Sequence, residues 1–182
     1  MANKTLKQRI SVFLFNREMR GHKRSPRTLS FDEAKRIGIV YEATDEKNYE
    51  LVKNLVKDLR DQKKDVLALG YVDLKELPAM RFAKLGLDFF TKKDLTWYMK
   101  PNHPMVSKFV QQDFDILINL DTEKCFPVNY VSAMAKANFK IGRYDKKNSH
   151  FCDFLIKTDE NTTLKQFIEH VNHYLKFIGN TN

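Results

Sequence analysis

Residues 114–120, Phe-Asp-Ile-Leu-Ile-Asn-Leu (FDILINL), decide the fold class of this chain. A short, nearly continuous apolar run that ends in a polar turn, here Asp121-Thr122-Glu123, reads as a buried strand. Pro127 stands where a following helix would begin. The same alternation recurs on both sides. Upstream, residues 36–43 (RIGIVYEA) form a β-branched run, followed by a helix from about Asp45 with Tyr49, Val52, Leu55, Val56 and Leu59 on one face. Residues 65–72 (DVLALGYV) give a second strand and 87–90 a short third one. Downstream, 139–144 and 154–157 supply two more strands. A last helix begins near Thr162, with Leu164, Phe167, Ile168, Val171, Leu175 and Ile178 facing inward.

Strands alternating with helices imply βα units. The expected fold is α/β and Rossmann-like, a mainly parallel sheet of five to six strands with helices on both faces. Residues 74–104 mix strand, helix and loop signals. The expected organisation is a basic N-terminal helix or arm over 1–30 and a single Rossmann-like domain over 31–182.

Composition supports one globular domain: the chain is 42% hydrophobic with 14 Phe, enough for a core, and six Gly and five Pro are too few for a linker-rich protein. Cys125 and Cys152 show neither a CxxC spacing nor a zinc quartet, so they read as reduced thiols of a cytoplasmic protein. The apolar run at residues 10–15 falls short of a signal-peptide core and of the ~20 residues that span a bilayer.

Charge is distributed unevenly. Lys4, Lys7, Arg9, Arg17, Arg20, Lys23, Arg24 and Arg27 face a single acid, Glu18, within the first 27 residues, and account for +7 of the formal +9. Leu6, Ile10 and Phe13 recur at helical spacing, which predicts a helix from about residue 4 to 20, ended by Gly21. Val12, Phe15 and Met19 form a second apolar stripe, so the faces are not cleanly separated. An arm rich in Arg suits phosphate contacts. Trp97 and Tyr98, beside Lys92, Lys93 and Lys100, are candidates for stacking on nucleobases.

In open α/β sheets, ligands bind beyond the carboxyl ends of the strands. Those ends carry acids here and no glycine-rich phosphate cradle. Glu42, Thr44, Asp45 and Asp121 therefore make a candidate pocket, either a site for a hard cation such as Mg²⁺ or a set of helix caps. No catalytic residue, no resident cofactor and no defined metal site is expected from the motifs.

The segments Ile37-Gly38-Ile39-Val40-Tyr41-Glu42-Ala43-Thr44-Asp45, residues 93–101 (KDLTWYMKP), FDILINL and residues 140–144 (KIGRY) resemble an uncharacterised family of short proteins from Bacteroidota, over most of residues 1–157. The resemblance implies a cytoplasmic Rossmann-like domain of unknown function and transfers no catalytic residue. Residues 114–144 are similar to the amino-terminal half of heptosyltransferase-like glycosyltransferases, where a strand ending in Asp leads to a helix and an Ile-Gly-Arg-like turn. The second, donor-binding domain of such enzymes has no counterpart in these residues, so this similarity implies fold alone.

The leading functional expectation is a non-enzymatic protein whose basic arm binds RNA or a ribonucleoprotein such as the ribosome. The alternatives are a small-molecule or metal-dependent enzyme site at the acidic strand ends, and an adaptor for an anionic membrane surface or a protein partner.

Overall fold

Six strands form one sheet in the computed structural model of the chain, which describes residues 6–21, 24–27, 30–78, 86–145 and 150–178. They are β1 (Arg36–Glu42), β2 (Asp65–Val72), β3 (Leu87–Thr91), β4 (Phe114–Asn119), β5 (Ala137–Arg143) and β6 (Phe154–Ile156). Their order is β3-β2-β1-β4-β5-β6 and every neighbouring pair is parallel. FDILINL lies at the centre: β4 sets Ile116 against Ile37 and Ile118 against Ile39 on one side, and Ile118 against Ile141 on the other. The strand order reverses between β1 and β4, which makes that junction the switch point of a doubly wound sheet.

Parallel neighbours need crossovers, and among the described residues helices lie in the connections between β1 and β2, β3 and β4, and β4 and β5. After α1 (Leu6–Gly21) come α2 (Glu46–Asp61), α3 (Pro104–Val110), α4 (Phe126–Met134) and α5 (Leu164–Leu175). One core cluster joins Ile37, Ile39, Ile116 and Ile118 to Val52 and Val56 of α2 and to Phe167 and Val171 of α5. The other joins Val40, Leu69 and Leu117 to Phe109 of α3 and Val131 of α4. The sheet is thus covered on both faces, which is why its strands are apolar at nearly every position rather than at alternate ones.

Local sequence fixes the helix ends. Asp45 caps α2 by accepting from the Lys47 N–H at 3.1 Å, and Thr163 and Gln166 form a reciprocal capping box at α5. Helix α3 begins on the last residue of the mixed segment 74–104, and seven residues are too few for a periodic signal to emerge from sequence. His103 caps it through Nδ1, which accepts from the Met105 N–H at 3.2 Å, and Pro104 opens its first turn.

Lys140 points into the sandwich between β5 and α4, where it is fully buried. Its ammonium donates to the carbonyls of Ser132 (2.7 Å) and Ala133 (2.9 Å), which lie in the last turn of α4. Burial, reinforced by the charge of Arg24, lowers its pKa to about 7. Cys125 and Cys152 are not joined to each other. No described helix is long and apolar enough to cross a membrane.

Candidate functional site

Helix α1 docks on the domain by one face, crossing α4 from the carboxyl ends of the strands, near Gln8 and Val12, to the amino ends of β4 and β5, near Gly21. Ser11 is 2% exposed, and its Oγ lies within hydrogen-bond distance of the carbonyls of Lys7 (2.8 Å) and Tyr98 (2.5 Å). One turn on, the Phe15 ring packs edge-on to Phe126 at 5.9 Å and to Phe151 at 6.3 Å, and against Tyr130 at 5.9 Å. One turn further, the Glu18 carboxylate accepts from the Lys100 ammonium at 2.8 Å and from the Tyr130 hydroxyl. Burial alone would raise the Glu18 pKa, but these two hydrogen bonds and the Lys100 charge hold it below the ordinary value.

The opposite face follows from the 100° step of an α-helix. Arg9, Phe13 and Arg17 succeed one another at i, i+4, with Leu6 and Arg20 one heptad either side of Phe13. All five are exposed, Phe13 at 67% and Leu6 at 73%. Among the described residues none of Lys7, Arg9, Arg17 and Arg20 pairs with a carboxylate. The two apolar stripes noted in sequence thus part company: Phe15 of the second packs inward, whereas Leu6 and Phe13 of the first stand in solvent among arginines.

The other arm cations have different placements. Arg24 is drawn into the fold, donating to Asp153 and to the carbonyls of Ala137 (3.1 Å) and Phe151 (3.2 Å). Arg27 has an exposed side chain, and its N–H donates to the Asn138 carbonyl at 2.9 Å. Lys4 and Lys23 lie outside the described residues. Trp97 is 65% exposed and meets the half-buried Tyr98 ring edge-on at 5.4 Å. Lys92, Lys93 and Lys100 form ion pairs with Asp73, Glu76 and Glu18.

Beneath α1, at the switch point, lies an open crevice of about 530 Å³. Its walls include Glu42 at the end of β1, Tyr71 and Asp73 at the end of β2, Cys125 before α4, and Gln8 and Val12 from α1. Tyr71 donates to Asp73 at 2.7 Å. Burial, then the charge of Asp121, pushes the Cys125 thiol far up, which favours the neutral thiol. Of the four pocket residues expected from sequence, Glu42 alone is among those walls. It accepts from the Thr44 N–H at 3.1 Å, and the Thr44 hydroxyl accepts from the Asp73 N–H at 2.8 Å. Asp45 is occupied as the α2 cap.

Asp121 is 4% exposed and organises the β4–α4 loop, accepting from the Glu123 N–H at 3.0 Å and from the Asn129 amide. Burial raises its pKa to about 6. Among the described residues no group of three or more His, Cys, Asp or Glu side chains has the arrangement to hold a metal ion. Tyr71 and Asp73 were not singled out in sequence, although applying the strand-end rule to DVLALGYV leads directly to Asp73.

A family model described as a family of unknown function (DUF6913) matches residues 4–178. No curated protein and no solved structure matches the chain.

Proposed function

We propose that this chain, which belongs to the family of unknown function DUF6913, is a non-enzymatic cytoplasmic protein that contacts RNA, within a ribonucleoprotein such as the ribosome, through the outward face of α1. The observation that carries this reading is the division of charge on α1. Its single acid, Glu18, faces Lys100 and Tyr130 on the domain, while Arg9, Arg17 and Arg20 are exposed together around Phe13. A surface of exposed arginines that, among the described residues, form no ion pair favours a polyanion, because each phosphate neutralised releases condensed counterions. Arginine adds bidentate geometry for phosphate. A Bacteroidota origin belongs to the same proposal, and the resemblance to heptosyltransferase-like enzymes enters it through fold alone.

A second reading, small-molecule binding, rests on the crevice of about 530 Å³ at the switch point, with Glu42 and Asp73 in its walls. The two readings use different surfaces and separate by mutation.

The test is binding of bulk cellular RNA across a salt series by the full chain and by the triple variant Arg9→Gln, Arg17→Gln, Arg20→Gln. Removal of three phosphate contacts at roughly 0.7 each lowers the log–log salt slope by about 2. Substitution is cleaner than deletion of the arm, which would also strip Ser11, Phe15 and Glu18 from the domain. Equal slopes for the two proteins, or no salt dependence, overturn the proposal. Lipid co-sedimentation that survives nuclease treatment favours a membrane surface instead.

A further inference from the structure

The turn that bears Trp97 is built as a rigid mount. Leu95 and Pro101 bridge its base, the Thr96 N–H donates to the Lys100 carbonyl at 2.9 Å, and the Met99 N–H donates to the Thr96 carbonyl at 2.9 Å. The Thr96 hydroxyl accepts from the Lys100 N–H at 3.1 Å, and Met99 takes the left-handed conformation at φ 67° to close the loop. The mount is fastened to α1 itself, through Ser11 to the Tyr98 carbonyl and through Lys100 to Glu18. At its tip the Trp97 indole stands 65% exposed, with the Tyr98 ring against it as the described aromatic neighbour.

From this geometry we infer that the RNA is single-stranded, an unstacked base packing on Trp97 while the α1 arginines hold its phosphates. The inference rests on the RNA reading above and specifies its substrate class. An aromatic face gains from a base whose own face is free, and in a duplex those faces are already stacked. A ring mounted on a hydrogen-bonded turn loses little freedom when a base arrives. Lys92 and Lys93 flank the turn in exposed ion pairs, which contribute little in water and give way to phosphate. A lipid surface is the poorer occupant. Arg9, Arg17 and Arg20 surround Phe13 and Leu6, so the outward apolar stripe is narrow, and Phe15 is already packed on the domain.

Trp97 is the single tryptophan of the chain, so its emission reports the contact directly. The experiment titrates the full chain with a short oligouridylate, an RNA duplex of equal length, heparin and phosphatidylserine vesicles, following emission and affinity together. The expected result is quenching by oligouridylate, and heparin binding without quenching. Trp97→Ala should lower oligouridylate affinity by about 5- to 100-fold, with heparin affinity unchanged and Trp97→Phe restoring most of the loss. Unchanged emission at saturation, equal affinity for the duplex, or an unaffected Trp97→Ala variant overturns the single-strand inference. If heparin and duplex still bind with a salt slope that the Arg9→Gln, Arg17→Gln, Arg20→Gln variant lowers, the RNA face on α1 stands without it. Failure of every polyanion to bind overturns both. Tighter binding to vesicles than to oligouridylate, with a blue shift, assigns the surface to lipid and overturns the inference.

Discussion

Glu18, the single acid among the first 27 residues, lies 2.8 Å from the Lys100 ammonium, on the side of α1 that faces the domain. That one pair both anchors the helix and removes the only carboxylate from its basic surface. The arm is therefore a docked element with an inner face of Ser11, Phe15 and Glu18 and an outer face of arginines around Phe13.

Replacing Glu18 by Gln loosens α1 at pH 7 by about 1 kcal/mol, the scale of a half-exposed ion pair reinforced by a hydrogen bond. The native carboxyl pKa is below its ordinary 4.5, so the contribution is full above that value and is lost as pH falls through the native one. Hydrogen exchange of the α1 amides should separate variant from wild type at pH 7, and the gap should close in acid.

Asp121 behaves in the opposite sense. Its pKa rises from 3.8 to about 6 on folding, so between these values the native state holds a proton that the unfolded chain has released. Stability conferred by this group falls as pH rises through that window, by roughly 3 kcal/mol in total. Asp121→Asn keeps an acceptor for the Glu123 N–H and lacks the titration. The difference in urea stability between wild type and variant should therefore move against wild type from pH 4 to pH 6 and stay level above.

Lys140 titrates in a third window. Its pKa falls from 10.5 to about 7 on folding, so above pH 7 the unfolded chain holds a proton that the native state has lost. Wild-type stability relative to Lys140→Met should rise by at most about 1.4 kcal/mol per pH unit from pH 7 toward pH 9. Urea midpoints across that range check it, and a flat difference would show that the buried amine stays charged between the α4 carbonyls.

Gly38 is a packing requirement at the centre of the sheet. A Cβ there would lie 2.7 Å from Leu117 Cδ1 and 3.0 Å from the Phe114 ring, and both neighbours are buried side chains with no room to retreat. Gly38→Ala should cost about 1–3 kcal/mol in thermal or urea unfolding while leaving polyanion affinity unchanged, since the arginine face is elsewhere.

Much of the fold was legible because its signals are local. FDILINL, RIGIVYEA and DVLALGYV are apolar at nearly every position, as strands covered on both faces must be, and the stripes of α2 and α5 repeat at helical spacing. Helix α3 was not legible, because seven residues give no period to count. Asp45 could be read as a cap from its place before α2, whereas the acids gathered by name at the strand ends proved to have separate tasks.

The sequence by itself determined the parallel α/β architecture and the concentration of positive charge in the first 27 residues, since both follow from runs and spacings along the chain. Only the tertiary structure decided which of those charges face outward. Ser11 meets Tyr98, Glu18 meets Lys100 and Tyr130, and Arg24 meets Asp153, partners 82 to 129 residues away. A mixed helix such as α1 carries no local signal of which side docks; that side is set by hydrogen bonds and aromatic contacts that exist only once α4, Phe151 and the Trp97 turn are in place.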